Sequence, residues 1–301
     1  MTTFKTFISE SSIIKTKRTS IPHFQQMKPL EFYKFIKDIL ANGGKLENIP
    51  MQLKVDGASC RFGKDVNGEF FFETGGSGPI QNAKAFSSYT KQKSNINHEV
   101  LARAYHYDDI YEHLKACDIW KDLPNDVKIV AEILYNPMGE SEKNQIKFVT
   151  VKYDKDKLGT LMSIVPYKVL NATNGETHKD EKKILKSLIS KSKSDIKIIS
   201  SSLQHLTINI SAEINGLKQL TYDVESILSS LKKADKQKKE DLTSMLQSIK
   251  NSIADKILKH HIKGIDVLGN EIEGYILDLN GTQYKITTPS FKNQRSSSKT
   301  T

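Results

Sequence analysis

Cysteine is nearly absent. The 301 residues hold two, Cys60 and Cys117. They make neither a metal-ligand spacing nor a disulfide framework, which fits a reducing compartment. Long apolar runs are missing too. No stretch reaches the ~18 consecutive apolar residues of a membrane-spanning helix, and the first residues lack the extended apolar core of a secretory signal. Acidic residues are outnumbered, 35 Asp and Glu against 45 Lys and Arg, giving a formal net charge of +10 and a pI of about 9.2. That balance favours a polyanionic partner, nucleic acid before membrane. Many of the lysines fall in the middle of the chain, so the charge is a bias of composition. Apolar residues at 37% and charged residues at 27% are globular values. The length suits one large or two modest domains with ample buried core.

The stretch that organises the rest is Lys54-Val55-Asp56-Gly57-Ala58-Ser59-Cys60-Arg61. Met51-Gln52-Leu53 before it reads as a strand that delivers Lys54 to a strand end. Gly57 permits a sharp turn or a positive φ. Ser59 and Arg61 share one face of the next strand, because side chains there repeat every two residues. An amine held this way attacks a phosphorus or carbonyl centre if burial or a second cation keeps it neutral. The plain alternative is a Lys and an Asp flanking a surface turn, and four residues alone do not decide.

Four further segments follow in order: Val130-Ala131-Glu132-Ile133-Leu134, Ile146 to Val151 around Phe148, Ile272-Glu273-Gly274-Tyr275-Ile276 and Gln283-Tyr284-Lys285-Ile286. With Lys54-x-Asp56-Gly57 this series resembles the covalent nucleotidyltransferase superfamily of ATP-dependent DNA ligases, RNA ligases and mRNA capping enzymes. Lys54, Asp56 and Gly57 match its motif I, Glu132 motif III, the strand at Phe148 motif IIIa, Glu273-Gly274 motif IV and Lys285 motif V. Both ends of the chain are also similar to ligase-like proteins of large tailed phages. The resemblance implies an α+β fold of ligase type, with ATP-grasp-like antiparallel sheets and flanking helices. It implies ATP and Mg²⁺ as cofactors and nicked or broken DNA or RNA as partner, in repair. Lys54 becomes the nucleophile of a lysyl-AMP intermediate. Asp56, Gly57, Arg61, Glu132, Phe148, Glu273 and Lys285 bind nucleotide, and Glu132 and Glu273 serve the metal. Phe148 stacks on the base or belongs to the core.

Three departures from the family pattern stand out. Where relatives carry a Ser-Arg-x-Gly-like segment, this chain has Thr74-Gly75-Gly76-Ser77-Gly78-Pro79. Arg61 is the candidate replacement for the arginine, and the glycines either approach phosphate with backbone N–H groups or form a plain loop. Where relatives show Lys-x-Lys, Thr287 stands at the second position, with Lys292 further on. After Lys285 the sequence leaves no room for the OB-fold domain of DNA ligases and capping enzymes, so an OB-fold is not expected. The missing arginine and second lysine support a second reading, a ligase-fold phage protein of weak or no activity with a structural or interaction role; the missing OB-fold resembles the RNA ligases, whose catalytic domains also end near motif V.

Residues 1–25 read as a loosely ordered Ser/Thr/Lys-rich segment and 296–301 as a disordered tail. Ile8-Ser9-Glu10 resembles the cleavage sites of phage prohead proteases, which implies packaging in a phage head; a frayed terminus is the stronger explanation. The resemblance otherwise implies the cytoplasm of the host cell. A helix opens at Pro29 and stops at Gly43-Gly44. Asn67-Gly68 and Asn280-Gly281 read as hairpin turns. A helix is expected over 97–119 and strands over 127–134, 147–153 and 160–169. Apolar residues three and four apart, from Leu203 to Leu231 and from Leu242 to Ile257, predict a helical hairpin with a lysine-rich tip at 232–239. That insertion spans 175–262 and divides the nucleotidyltransferase domain into 26–174 and 263–295. The tip lysines read as a solvated turn rather than a nucleic-acid contact, and His260-His261 as a favourable helix end.

Overall fold

The computed structural model describes residues 21–41, 43–74, 79–82, 84–91, 98–135, 151, 153–203, 205–218, 220, 224–229, 236–259, 272–279 and 281–288. Phe148, Gly75-Gly76-Ser77-Gly78, Glu271, Lys292, His260-His261, the Ile8-Ser9-Glu10 segment and the tail lie outside them. The first half runs α1 (Pro29–Ala41), β1 (Lys45–Ile49), β2 (Met51–Lys54), β3 (Ala58–Lys64), β4 (Phe70–Thr74), α2 (Ala85–Lys91), α3 (His98–Ala116) and β5 (Val127–Tyr135). The second runs β6 (Met162–Asn171), α4 (Glu181–Ser190), β7 (Ile196–Ile198), β8 (Leu206–Asn209), α5 (Ser211–Lys218), α6 (Val224–Ser229), α7 (Lys236–Lys259), β9 (Gly274–Leu279) and β10 (Thr282–Thr287). This is a mixed fold of mainly antiparallel sheets with flanking helices. No described helix is long and apolar enough to cross a membrane.

Contacts divide the chain into two units. The first, contiguous among the described residues, is Val55–Ser201. Its sheet has the order β4-β3-β5-β6-β7, antiparallel except for the β6–β7 pair. Cys60, Phe62, Phe70, Phe72, Ile129, Ala131 and Ile133 lie on one face and join Ile110, Tyr111 and Leu114 of α3 and Ile184 and Leu188 of α4 in a single core. Cross-strand pairing puts Ser59, Arg61, Glu73, Lys128 and Glu132 on the other face. The alternation along β3 follows from the two-residue period of a strand packed on one side.

The second unit joins residues up to Lys54 with those from Ser202 onward. It holds a three-stranded sheet, order β10-β9-β2, and the pair β1-β8. Met51, Leu53, Tyr275, Leu277, Tyr284 and Ile286 are buried on one face. Phe24 meets Tyr284 edge to face at 6.4 Å and Phe32 of α1 at 5.9 Å. Leu242, Leu246, Ile253 and Ile257 of α7 are fully buried. Gly274 lies between Lys54 and Thr287 in the register, and a Cβ there would stand 1.9 Å from the Ile286 carbonyl oxygen. Only a glycine lets β10 approach this closely.

Several expectations need correction. The hairpin expected from residue 203 begins instead with a strand: Leu206 and Ile208 are buried and Thr207 and Asn209 exposed, and the segment pairs with β1. A leucine-isoleucine series at spacings of two to four satisfies both periods, and pairing with β1 chose the shorter one. Two short helices, α5 and α6, follow, and only α7 is the long helix expected. The stretch 175–262 also contains β7, which extends the first unit's sheet. The contact boundaries fall at Lys54/Val55 and Ser201/Ser202, not at 174/175 and 262/263. The expected turn Asp65-Val66-Asn67-Gly68 is present, with the Gly68 N–H on the Asp65 carbonyl at 3.1 Å, inside a five-residue loop, Asp65–Glu69, in which only Gly68 has positive φ and Asp65 Oδ1 accepts from the Asn67 and Glu69 N–H groups. β9 and β10 do pair as the expected hairpin, with Leu279 opposite Thr282 and Gly281 at φ 83°; Asn280 lies outside the described residues. At 147–153, the described Val151 and Tyr153 are not in a strand.

Candidate active site

In the second unit, β2 ends on Lys54 because the apolar Met51 and Leu53 fix its other face in the core. Lys54 Nζ lies 2.5 Å from Glu273 Oε2, with the two side chains 18% and 7% exposed. Such a half-desolvated charge pair is stronger than one in bulk water. Glu273 immediately precedes β9, and its carbonyl accepts the Thr288 N–H at 2.9 Å. The β9–β10 hairpin carries Lys285 opposite Ile276, which is itself opposite Gln52. Lys285, Gln52, Lys54 and Thr287 therefore share one face of the sheet. That face thus carries Lys54 on β2 and Lys285 on β10, and Glu273, just before β9, is paired with Lys54.

In the first unit, the backbone just after Lys54 is held by two tyrosines. The Tyr167 hydroxyl accepts the Val55 N–H at 2.9 Å and the Tyr153 hydroxyl accepts the Asp56 N–H at 2.7 Å. Asp56 Oδ2 accepts from the Val151 N–H at 3.4 Å. Gly57 does not take a positive φ. Its requirement is space, since a Cβ would lie 2.9 Å from the Ile133 carbonyl oxygen and 3.2 Å from Leu134. Glu132 stands half-buried on β5, opposite Ser59 on one side and Val165 on the other. Arg61 lies on the same face, opposite Glu73 and Val130. Cys60 points the other way. Burial pushes its thiol well above the usual range, the Glu132 charge adds to that and Arg61 opposes it, so it is no nucleophile.

Each unit thus gathers part of the expected set: Lys54, Glu273 and Lys285 in one, Asp56, Gly57, Arg61 and Glu132 in the other. Phe148 lies outside the described residues. Sequence reasoning missed Tyr153, Tyr167 and a buried ion pair, Lys128 Nζ to Glu73 Oε1 at 2.9 Å, which sits on the face of Arg61 and Glu132. Lys128 also lies 5.7 Å over the Phe71 ring. The available signal was weak: Pro166-Tyr167 falls where the β5–β6 register skips a residue, and a proline inside a strand marks such a break.

No protein-family model matches this chain. No curated protein matches it. Solved structures do show some likeness. An RNA ligase from Naegleria gruberi, in a mutant form with AMP and Mn, is 11% identical at a TM-score of 0.39, over 92% of this chain and 57% of that one. An apo mutant of the same ligase gives 10% and 0.38. The ATP-dependent DNA ligase of bacteriophage T7, in complex with ATP, gives 12% and 0.34, over 85% of this chain and 66% of that one. The chain spans little more than half the length of the Naegleria ligase.

Proposed function

We propose that this protein is an ATP-dependent nucleotidyltransferase that forms a covalent lysyl-AMP on Lys54 and uses it to join 5′-phosphate to 3′-hydroxyl ends of nucleic acid. One observation carries the reading: the Lys54 amine, at a strand end and 2.5 Å from Glu273, shares a sheet face with Lys285. A nucleophilic lysine needs a place to send its proton and a cation where negative charge collects, and these two neighbours supply them.

In the first step the neutral Lys54 amine attacks the α-phosphorus of ATP. The N–P bond forms, the bond from phosphorus to the bridging oxygen breaks, and pyrophosphate leaves. The amine's proton passes to the Glu273 carboxylate or through it to water. Lys285 offers its charge to the α-phosphate, where negative charge collects. Asp56, Gly57, Arg61 and Glu132 hold the nucleotide, with Phe148 stacking on the base. In the second step AMP passes to a 5′-phosphate, and in the third a 3′-hydroxyl displaces AMP and seals the strand.

A divalent ion would be served by carboxylates. Among the described residues no three Asp, Glu, His or Cys side chains cluster as a metal cage. Mg²⁺ asks for less, one or two carboxylates with the remaining positions taken by water and substrate phosphate. Glu273 and Glu132 are the carboxylates offered. When bound, the ion would neutralise charge on the triphosphate and orient the leaving pyrophosphate.

Incubation with α-labelled ATP and Mg²⁺, followed by denaturing electrophoresis, tests the reading. Label is expected on the wild-type chain and absent from Lys54→Ala and Lys54→Arg, since a guanidinium stays protonated. Label that persists in Lys54→Ala sinks the assignment. The acceptor is then sought with nicked DNA and nicked RNA. Binding to either should weaken steeply as salt rises, as expected for a basic protein gripping phosphates.

A further inference from the structure

α7 carries a lysine where its neighbours on the inner face are apolar. Leu246, Ile249, Ile253 and Ala254 are buried, and so is Lys250, at 3% exposure. A buried ammonium is costly unless its donors find acceptors. Lys250 Nζ donates to the Met27 carbonyl at 2.8 Å and to the Gln25 carbonyl at 3.4 Å, and lies 5.6 Å over the Phe32 ring. Burial pulls its amine below the ordinary range. Methionine would fill the same space without that cost, so the amine serves the two carbonyls rather than the packing. They belong to the end of a single turn of 3₁₀ helix, Phe24–Gln26, where carbonyls lack partners inside the turn.

The other side of the same strip touches the candidate site. The Pro22 carbonyl accepts the Lys285 N–H at 2.9 Å, and His23 pairs with Lys285 as an isolated parallel bridge. β10 is an edge strand in its sheet. Phe24 is 1% exposed and lies edge-on to both Tyr284 and Phe32. The strip Pro22–Met27 is thus bonded to α7 at one end and to the free edge of β10 at the other.

We infer that Lys250 is a positioning residue for Lys285: it pins the strip Pro22–Met27 by its carbonyls, and the strip fixes the edge of β10 at Lys285. The catalytic consequence rests on the nucleotidyltransferase reading above; the pinning does not.

Two variants of the full chain attack the strip from opposite sides. Lys250→Met keeps the length of the side chain and removes its donors. Phe24→Leu loosens the strip without touching α7, and carries the test if the first variant does not fold. By hydrogen exchange, the Lys285 amide should open about tenfold more readily in each, while β9 amides bonded to β2 keep their protection. Label uptake at saturating ATP should fall about tenfold with little change in the KM for ATP, because Lys285 acts on charge that develops in the transition state. Lys250→Arg, which restores a donor, should recover part of both losses. Unchanged exchange at Lys285 in a folded variant overturns the inference, as does a loss of protection spread evenly over the unit. If the wild-type chain takes no label, the functional reading fails and the exchange measurement still decides the pinning.

Discussion

The two units solve the same packing problem with different chain routes. Each has a sheet with one apolar face against helices and one face bearing charge. In the Val55–Ser201 unit the sheet is made from a continuous stretch, and β3, β4 and β5 follow one another with hairpin or single-crossover connections. In the other, β2 comes from near residue 50 and β9 and β10 from near residue 280, so no local segment contains the sheet. Each unit also buries charge differently. The first locks Lys128 onto Glu73; the second holds Lys54 on Glu273 and Lys250 on backbone carbonyls. A unit closed from distant segments depends on elements that a sequence reading takes for an insertion.

The sharpest way to break this comparison is to remove that supposed insertion. Replacement of residues 203–258 by a short Gly/Ser linker should destroy the second unit, and label uptake with it, although a protruding hairpin would have been dispensable. The deletion takes away Leu242, Leu246, Ile249, Ile253 and Ile257, all buried. At about 2 kcal/mol each, their burial is on the order of 10 kcal/mol, as large as the whole stability of an ordinary domain. Circular dichroism and limited proteolysis should show loss of the β9 and β10 region. A cooperative, label-competent deletion protein would return the helices to the status of an insertion.

A smaller effect separates the two kinds of buried charge. Lys128→Met alone leaves the Glu73 carboxylate buried and unpaired and should cost about 3–5 kcal/mol in urea unfolding. Lys128→Met combined with Glu73→Leu should recover most of that, since an apolar pair removes the uncompensated charge. If the double variant is no better than the single, the pair does more than balance charge on that face.

The smallest effect is a pH dependence from Tyr284 in the second unit. Burial, and then the hydrogen bond to Glu31, push the Tyr284 phenol up to about 12. The group is neutral in the fold and ionises earlier when unfolded. Its contribution to stability is therefore whole below the ordinary phenol range, near pH 10, and is lost as pH rises toward about 12. Tyr284→Phe should flatten the stability profile between those limits, as read by urea unfolding at stepped pH.

Much of the fold is legible in the residues. Pro29 and Gly43-Gly44 bracket α1, alternating burial marks β3, and Lys54 stands at a strand end as expected. Lys285 returns on the strand antiparallel to β9, which Glu273 immediately precedes, as the hairpin reading of that segment expects. Local signals of this kind, turn chemistry and side-chain period, act over a few residues and need no partner. The segment Leu206–Asn209 shows where they fail: its apolar spacing suited a helix and a strand alike, and β1, some 160 residues earlier in the register, decided. Gly274 was legible as a place of close approach, whereas Gly57 was legible as a glycine but not for its reason, which is a carbonyl oxygen where a Cβ would stand.

The sequence by itself determined the chemistry on offer: a lysine, an aspartate and a glycine at a strand end, two later carboxylates, a second lysine and a basic surplus. These are properties of residue type and short spacing. Only the tertiary structure decided which of them meet. Lys54 and Glu273, 219 positions apart, come within 2.5 Å because Gly274 lets β9 run between β2 and β10 without a side chain in the way. Tyr153 and Tyr167 reach the backbone after Lys54, and Lys250 reaches the strip beside Lys285, by the same means. Contacts across such distances cost chain entropy that only a whole packed core repays, and no short stretch of sequence records them.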